Sequence, residues 1–200
     1  MKRLAIIGAG GHGKVLADIA MKSGYTDIVF LDDNDNIREC GGYPVIGKCV
    51  EAEKIDADLF IGIGNAIIRK RIFELFRHRN IVTLIHPNAV IAPDVIIGAG
   101  TAVMAGAVIN PGAVIGMGCI INTCSSVDHD CNVGDFVHVS VGSHLCGTVT
   151  VDDETWIGAG ATVSNNLHIC GGCMVGAGTV VIKDISEYGT YIGVPARKIK

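Results

Sequence analysis

Aromatic side chains are scarce in this 200-residue chain: they make up 5% of it, with a single tryptophan. Globular cores lean on buried rings, so this scarcity points to thin repeated layers of small aliphatics instead of one thick centre. No apolar run reaches the roughly 18 residues of a membrane-crossing helix, so no membrane span is expected. Basic clusters are also missing, and the net charge is −4. A nucleic-acid partner is therefore not expected, because its phosphates would call for a basic face. The opening Met1-Lys2-Arg3-Leu4 imitates the start of a secretory leader. Its apolar run stops at Gly8, and His12 and Lys14 follow, so the expectation is a cytoplasmic protein.

What is abundant is equally informative. Apolar residues reach 49%, with 27 glycines and 8 cysteines. The cysteines of the second half are scattered among apolar positions, as reduced cysteines are when they serve as small hydrophobes. One pair, Cys170 and Cys173, has CxxC spacing. Zinc would call for a second such pair, and none exists, so no metal is expected.

From Ile85 onward every sixth residue is aliphatic: Ile85, Ile91, Ile97, Val103, Ile109, Ile115, Ile121, Val127, Val133, Val139, Leu145, Val151, Ile157, Val163, Ile169, Val175 and Val181. Small side chains follow four residues later, as at Ala89, Thr101, Ala107, Ala113, Cys119, Ser125, Ser143 and Ala161. A period of six fits neither a helix nor simple strand alternation. It fits a solenoid of short flat strands and tight turns. With three hexapeptides per triangular coil, Ile91, Ile109, Val127, Leu145, Val163 and Val181 stack in one inner column. This pattern resembles the hexapeptide-repeat transferases. The resemblance implies a left-handed parallel β-helix, association as a homotrimer, and active sites between neighbouring subunits.

Residues 1–82 read as a separate domain from the β-helix of 83–200. Leu4–Ile7, Ile28–Leu31, Leu59–Ile63 and Ile81–Ile85 read as strands. A helix is expected over 12–23, with Val15, Leu16, Ile19 and Ala20 on its inner face and Gly24 ending it. A second is expected over 66–77, capped by Asn65, with Ile68, Ile72, Leu75 and Phe76 inward. Alternating strands and helices give a small α/β, Rossmann-like unit. Gly8-Ala-Gly-Gly-His-Gly13 satisfies GxGxxG between a strand and a helix, with Asp32 and Asp33 closing the next strand. Glycines admit a phosphate to backbone N–H groups at a helix N-terminus. A nucleotide-phosphate site and a tight packing turn both fit. A dinucleotide site suits it less, because the unit is half the usual size and His12 interrupts the loop.

The most polar stretch of the repeat is Asn122–Cys131, which contains Asp128, His129 and Asp130. Acyl transfer to an amine or alcohol needs a base, and imidazole titrates near neutrality. A neighbouring carboxylate can fix its tautomer, and either Asp128 or Asp130 is placed to do so. A solvated turn histidine is the plain alternative on the residues alone.

GAGGHGKV (Gly8–Val15), FLDD (Phe30–Asp33), GIGNA with Arg69, and the hexapeptide run together resemble bacterial sugar acetyltransferases over the whole chain. Relatives in that family acetylate the 4-amino group of a UDP-linked deoxy sugar or of GDP-perosamine, and a sister group comprises sialic acid O-acetyltransferases. The resemblance implies acetyl-CoA as donor and a nucleotide-sugar as acceptor. It places the nucleotide-sugar on Gly10, Gly11, His12, Asp32, Asp33 and Gly64. It makes His129, in SSVxHxCxxG, the general base, with Asp130 raising its basicity. It further implies Asn122 against the acceptor sugar, and His138, Gly147, Ala159 and Ala177 along acetyl-CoA. Arg197 and Lys198 of the tail either meet CoA phosphates or are solvated. His78, His86 and His168 read as structural or surface residues, and His144 as wall or solvent. Two rivals remain. A zinc hydratase on a similar coil needs closely spaced histidines that His129, His138 and His144 do not match. A non-catalytic nucleotide-binding trimeric scaffold would not need the polar stretch.

Overall fold

The structure, a computed structural model, describes residues 2–199 and divides into two units, Met1–Pro87 and Asn88–Lys200. Met1 and Lys200, the ends of the two expected domains, lie outside the described residues.

The first unit runs β1 (Arg3–Ile7), α1 (Gly11–Lys22), β2 (Asp27–Leu31), β3 (Glu39–Cys40), β4 (Tyr43–Gly47), a 3-10 helix (Cys49–Lys54), β5 (Asp58–Ile61) and α2 (Ala66–Leu75). Its sheet has the order β3-β4-β2-β1-β5, and β1 pairs in parallel with both β2 and β5. The buried runs of β1 and β2 belong to central strands covered on both faces. Asn65 caps α2 by accepting from the Ile68 N–H at 3.0 Å, and Gly24 follows α1 with φ +92°.

The inward stripes differ from those expected. On α1 the buried series is Gly13, Leu16, Ala17, Ile19 and Ala20, while Val15 is 42% exposed. The stripe starts on Gly13, and its i, i+3, i+4, i+7 spacing leaves Val15 outside. On α2, Ile68 and Leu75 face solvent, and Arg69, Ile72, Phe73 and Phe76 are buried. Here the stripe starts on Arg69, a charge that no hydrophobic count would place inside. Strand β5 stops at Ile61, where the Gly62–Gly64 loop begins. The expected strand at 81–85 survives as an Ile81 bridge to Leu59 and a pair, Leu84–Ile85.

The second unit is a parallel β-solenoid of two-residue strands. Register runs Ile91, Ile109, Val127, Leu145, Val163 and Val181 up one face, in steps of one coil. A second face carries Ile97, Ile115, Val133, Val151 and Ile169. A third carries Val103, Ile121, Val139, Ile157 and Val175. Anchors from Val103 to Val181 are fully buried, whereas Ile85 is half-exposed and lies in the first unit. Ile91 and Ile97 are partly buried, because each begins its face and is covered by a following coil only.

The corners explain the glycine excess. Every sixth residue from Gly100 to Gly178 has a left-handed backbone, with φ between 54° and 75°. Glycine holds many of these positions, but Cys124, Asp130, Phe136, Thr148, Glu154 and Asn166 hold the others. A non-glycine residue there costs about 1–2 kcal/mol, so the fold tolerates side chains at its corners and must repay them elsewhere.

Candidate active site

The turn from the first face to the second carries the polar stretch. Val127 points inward as an anchor, and the chain then turns through Asp128, His129 and Asp130. The left-handed backbone of Asp130 (φ +58°) swings its carboxylate back towards the preceding residue. Its Oδ2 lies 2.8 Å from His129 Nδ1. Asp128 is engaged differently: its Oδ1 accepts from Asn110 Nδ2 and from the His129 backbone N–H, each at 2.7 Å. Of the two candidate carboxylates, Asp130 is therefore the one on the imidazole. The Asp130 hydrogen bond holds the His129 pKa above its ordinary value, with the Asp128 and Asp130 charges adding to it and partial desolvation opposing. Nδ1 faces Asp130, so Nε2 is the ring nitrogen left for a reacting group, on a side chain that is 57% exposed.

Gly147 lies one coil after His129. A Cβ on it would stand 2.4 Å from His129 Nε2 and 2.6 Å from Cε1, so the imidazole rests directly over the bare Cα of Gly147.

A groove of about 450 Å³ opens on the third face and the turn after it, lined by Asn122, His138, Trp156, Ala159, Met174 and Ala177 among others. His138 and Trp156 are stacked across neighbouring coils with ring centroids 5.1 Å apart and 25° between planes. Trp156 Nε1 donates to Ser140 Oγ at 2.6 Å. Asn122 Oδ1 accepts from the Thr123 N–H at 2.8 Å, which fixes the amide so that Nδ2 points to His138 Nε2 at 3.0 Å. That makes Nε2 the acceptor and puts the His138 proton on Nδ1.

In the first unit, the loops after β1 and β5 lie side by side. A Cβ on Gly8 would meet the Gly62 carbonyl at 2.9 Å, and one on Gly13 would meet the Gly8 carbonyl at 2.2 Å. Those glycines serve packing. Gly10, Gly11 and Gly64 do not: a Cβ on any of them would meet nothing within 4 Å, and none has a positive φ. Open space over glycines that packing does not require is what a close-lying phosphate or sugar needs. Beneath the loops, buried Arg69 donates from Nη1 to the carbonyls of Ile63 (2.8 Å) and Gly64 (2.7 Å). His12 is partly buried, and its Nε2 has no hydrogen-bonding partner. Burial first, then the Arg69 charge, lowers its pKa to about 4, so the ring is neutral near pH 7. Asp32 ties the loop down, its Oδ2 accepting from the Ala9 N–H at 2.7 Å and its Oδ1 from the Asn34 N–H at 2.9 Å. Asp33 Oδ1 accepts from the Cys49 N–H at 3.0 Å, at the start of the 3-10 helix.

Comparison with known proteins settles the family. Residues 3–76 match the model of the PglD N-terminal domain. A GDP-perosamine N-acetyltransferase of Escherichia coli O157:H7 is 30% identical over 178 residues, covering 84% of this chain and 80% of that protein. The chain belongs to the hexapeptide-repeat sugar acetyltransferases. The acetyltransferase domain of PglB from Neisseria gonorrhoeae FA1090, in complex with acetyl coenzyme A, is 41% identical with TM-score 0.95 over 99% of both chains. PerB from Caulobacter crescentus, in complex with CoA and GDP-perosamine, is 36% identical with TM-score 0.92 over 100% of this chain and 98% of that one. The solenoid of this sugar acetyltransferase is accordingly the left-handed parallel β-helix of the family.

Within this acetyltransferase the expected residues fall into three groups. His129, Asp130 and Gly147 meet at one corner of the coil; Asn122, His138, Ala159 and Ala177 share the groove; Gly10, Gly11, His12, Asp32 and Gly64 share the glycine loops, with Asp33 turned to the 3-10 helix. Lys198 pairs with Glu187 and Arg197 with the Ala196 carbonyl. His78 and His168 pair with Glu53 and Asp152, His144 meets Ser126, and His86 is buried. The Cys170 and Cys173 sulfurs lie 3.4 Å apart as thiols. Among the described residues no group of His, Cys, Asp or Glu could hold a metal ion, and no helix is long and apolar enough to cross a membrane. Sequence reading gave no role to Arg69, Asn110, Gly112, Ser140 or Trp156. The signal for Asn110 and Gly112 was available: each precedes a residue of the polar stretch by one coil.

Proposed function

We propose that this protein transfers the acetyl group of acetyl-CoA to the 4-amino group of a nucleotide-linked deoxy-amino sugar, UDP- or GDP-bound, with His129 as general base. The observation that carries this reading is the His129–Asp130 pair, which presents Nε2 at an open corner of the coil. As the amine nitrogen bonds to the thioester carbonyl carbon, its proton passes to Nε2. Asp130, on Nδ1, steadies the imidazolium that results. The tetrahedral oxyanion then collapses, the carbon–sulfur bond breaks, and the departing thiolate takes the proton from Nε2, which returns His129 to its neutral form.

The groove supports acetyl-CoA binding: its lining is mostly apolar and includes Asn122 and His138. The relatives crystallised with acetyl-CoA or CoA support the same donor. The open glycines and neutral His12 support a nucleotide-sugar on the first unit, with Asp32 shaping the loop and Asp33 beside it. The dyad lies at the turn from the first face to the second, and the groove on the third face and the turn after it. One copy therefore does not bring both to one corner. A homotrimer, in which the dyad of one subunit meets the groove of the next, completes the site. Eight free thiols support a reducing, cytoplasmic setting.

The test is acetyl transfer from acetyl-CoA to UDP-4-amino deoxy sugars, GDP-perosamine and free sialic acid, read by mass spectrometry. One acetyl gained on a nucleotide amino sugar, and lost with His129→Ala while both ligands still bind, is the expected result. Acetylation of sialic acid alone would move the acceptor to a hydroxyl. Undiminished turnover by His129→Ala would refute the base assignment.

A further inference from the structure

We propose that Gly112 is a positioning residue for the dyad: its missing side chain is the seat of the Asp130 carboxylate. This rests on the reading of His129 and Asp130 given above. Gly112 precedes Asp130 by one coil, and a Cβ on it would stand 2.5 Å from Asp130 Oδ1, well inside contact distance. Its own N–H is held by Asp94 Oδ2 at 2.9 Å, so the Cα cannot easily retreat.

Gly112 has φ +75°, and the usual explanation for a glycine there would be that conformation. The rest of the coil argues against it as the whole reason. Along this same corner the next three coils place Asp130, Thr148 and Asn166, all with φ near +60°. A side chain is thus compatible with the backbone of this corner. What separates Gly112 is its neighbour, the carboxylate that bonds the His129 imidazole. Gly147 does the same for the other partner, leaving room for the His129 ring. The dyad is seated between two bare Cα atoms, one on the preceding coil and one on the following coil.

In Gly112→Ala the Asp130 carboxylate must turn away, and His129 loses the bond on Nδ1. The charged groups left around the ring are Asp128, fixed by Asn110, and the displaced Asp130 itself, with Asp94 one coil further back. The expected result is a fall in kcat of on the order of 10- to 100-fold with KM for acetyl-CoA little changed. The acid limb of the kcat–pH profile should move to lower pH, because the bond that raises the His129 pKa is gone. Asp130→Gly is the reference, since glycine accepts that backbone. In the double variant Gly112→Ala/Asp130→Gly the new Cβ meets no carboxylate, so its activity should match Asp130→Gly alone. Losses that multiply in the double variant would overturn the proposal, as would a Gly112→Ala enzyme with wild-type kcat and pH profile. Should Gly112→Ala fail to fold, the double variant decides: it folds if the conflict is with Asp130, and stays unfolded if Gly112 serves only the coil. His129→Ala, measured alongside, separates this outcome from failure of the dyad reading, because that reading fails only if His129→Ala remains active.

Discussion

His12 makes the first unit acid-sensitive by a calculable amount. Its folded pKa is about 4, against 6.5 for an unperturbed histidine. Between those values the unfolded chain binds a proton that the folded chain refuses, so stability falls as pH drops through that window and levels off below it. The full difference of about 2.5 units corresponds to roughly 3 kcal/mol, of which about 2 kcal/mol is lost between pH 7 and pH 4.5. That is a sizeable share of the roughly 5–15 kcal/mol that holds a domain together. The perturbation is His12→Gln, which keeps a polar side chain but cannot titrate. Both α-helices lie in the first unit, so helical circular dichroism during urea unfolding follows that unit specifically. The wild type should lose about 2 kcal/mol more than His12→Gln between the two pH values. Parallel losses in the two proteins would show that the folded state protonates His12 freely, and would refute the buried neutral ring beside Arg69.

Asp130→Asn should lower kcat about 100-fold, since a neutral amide cannot steady the imidazolium, and should move the acid limb to lower pH. Asp128→Asn should cost less than about 10-fold, because its carboxylate holds Asn110 and a backbone N–H; equal effects of the two substitutions would contradict the pairing seen here. Trp156 is the sole tryptophan and is 41% exposed on the groove. Its emission should change saturably as acetyl-CoA is titrated in, and should not respond to the nucleotide-sugar alone; an unresponsive Trp156 would place the donor elsewhere.

The coil was legible because its signal is periodic and redundant. One aliphatic per hexapeptide, repeated without a skip, fixes the strands, the inner columns and the register together. Small buried positions such as Thr101, Ala107 and Ser143 add a second constraint of the same period. The first unit was less legible because its helices carry one stripe each, and a stripe can be misread by a single residue. Arg69 shows why. A buried guanidinium is written off as a solvent face, and doing so rotates the whole of α2, turning Ile68 and Leu75 inward on paper. Its burial makes sense only when the Ile63 and Gly64 carbonyls are seen to accept from it, and those contacts depend on where the β5 loop turns back.

The site was legible in its residue types but not in its pairings. Asp128 and Asp130 flank His129 symmetrically in sequence, and strand alternation puts both on the face opposite to it. Choosing between them requires the left-handed backbone at Asp130 and the direction its carboxylate then takes, and that direction leaves no local mark. The mark it does leave is one coil away. A carboxylate folded back over its own corner needs an empty Cα beneath it, and an imidazole leaning outward needs one above. Gly112 and Gly147 meet those needs on the preceding and following coils. In a solenoid the environment of a residue is written at fixed offsets along the chain, so chemistry at one corner constrains residue size at the neighbouring corners. A glycine in such a coil is explained by its backbone only when the coils on either side have been consulted, and for Gly112 and Gly147 those coils hold Asp130 and His129.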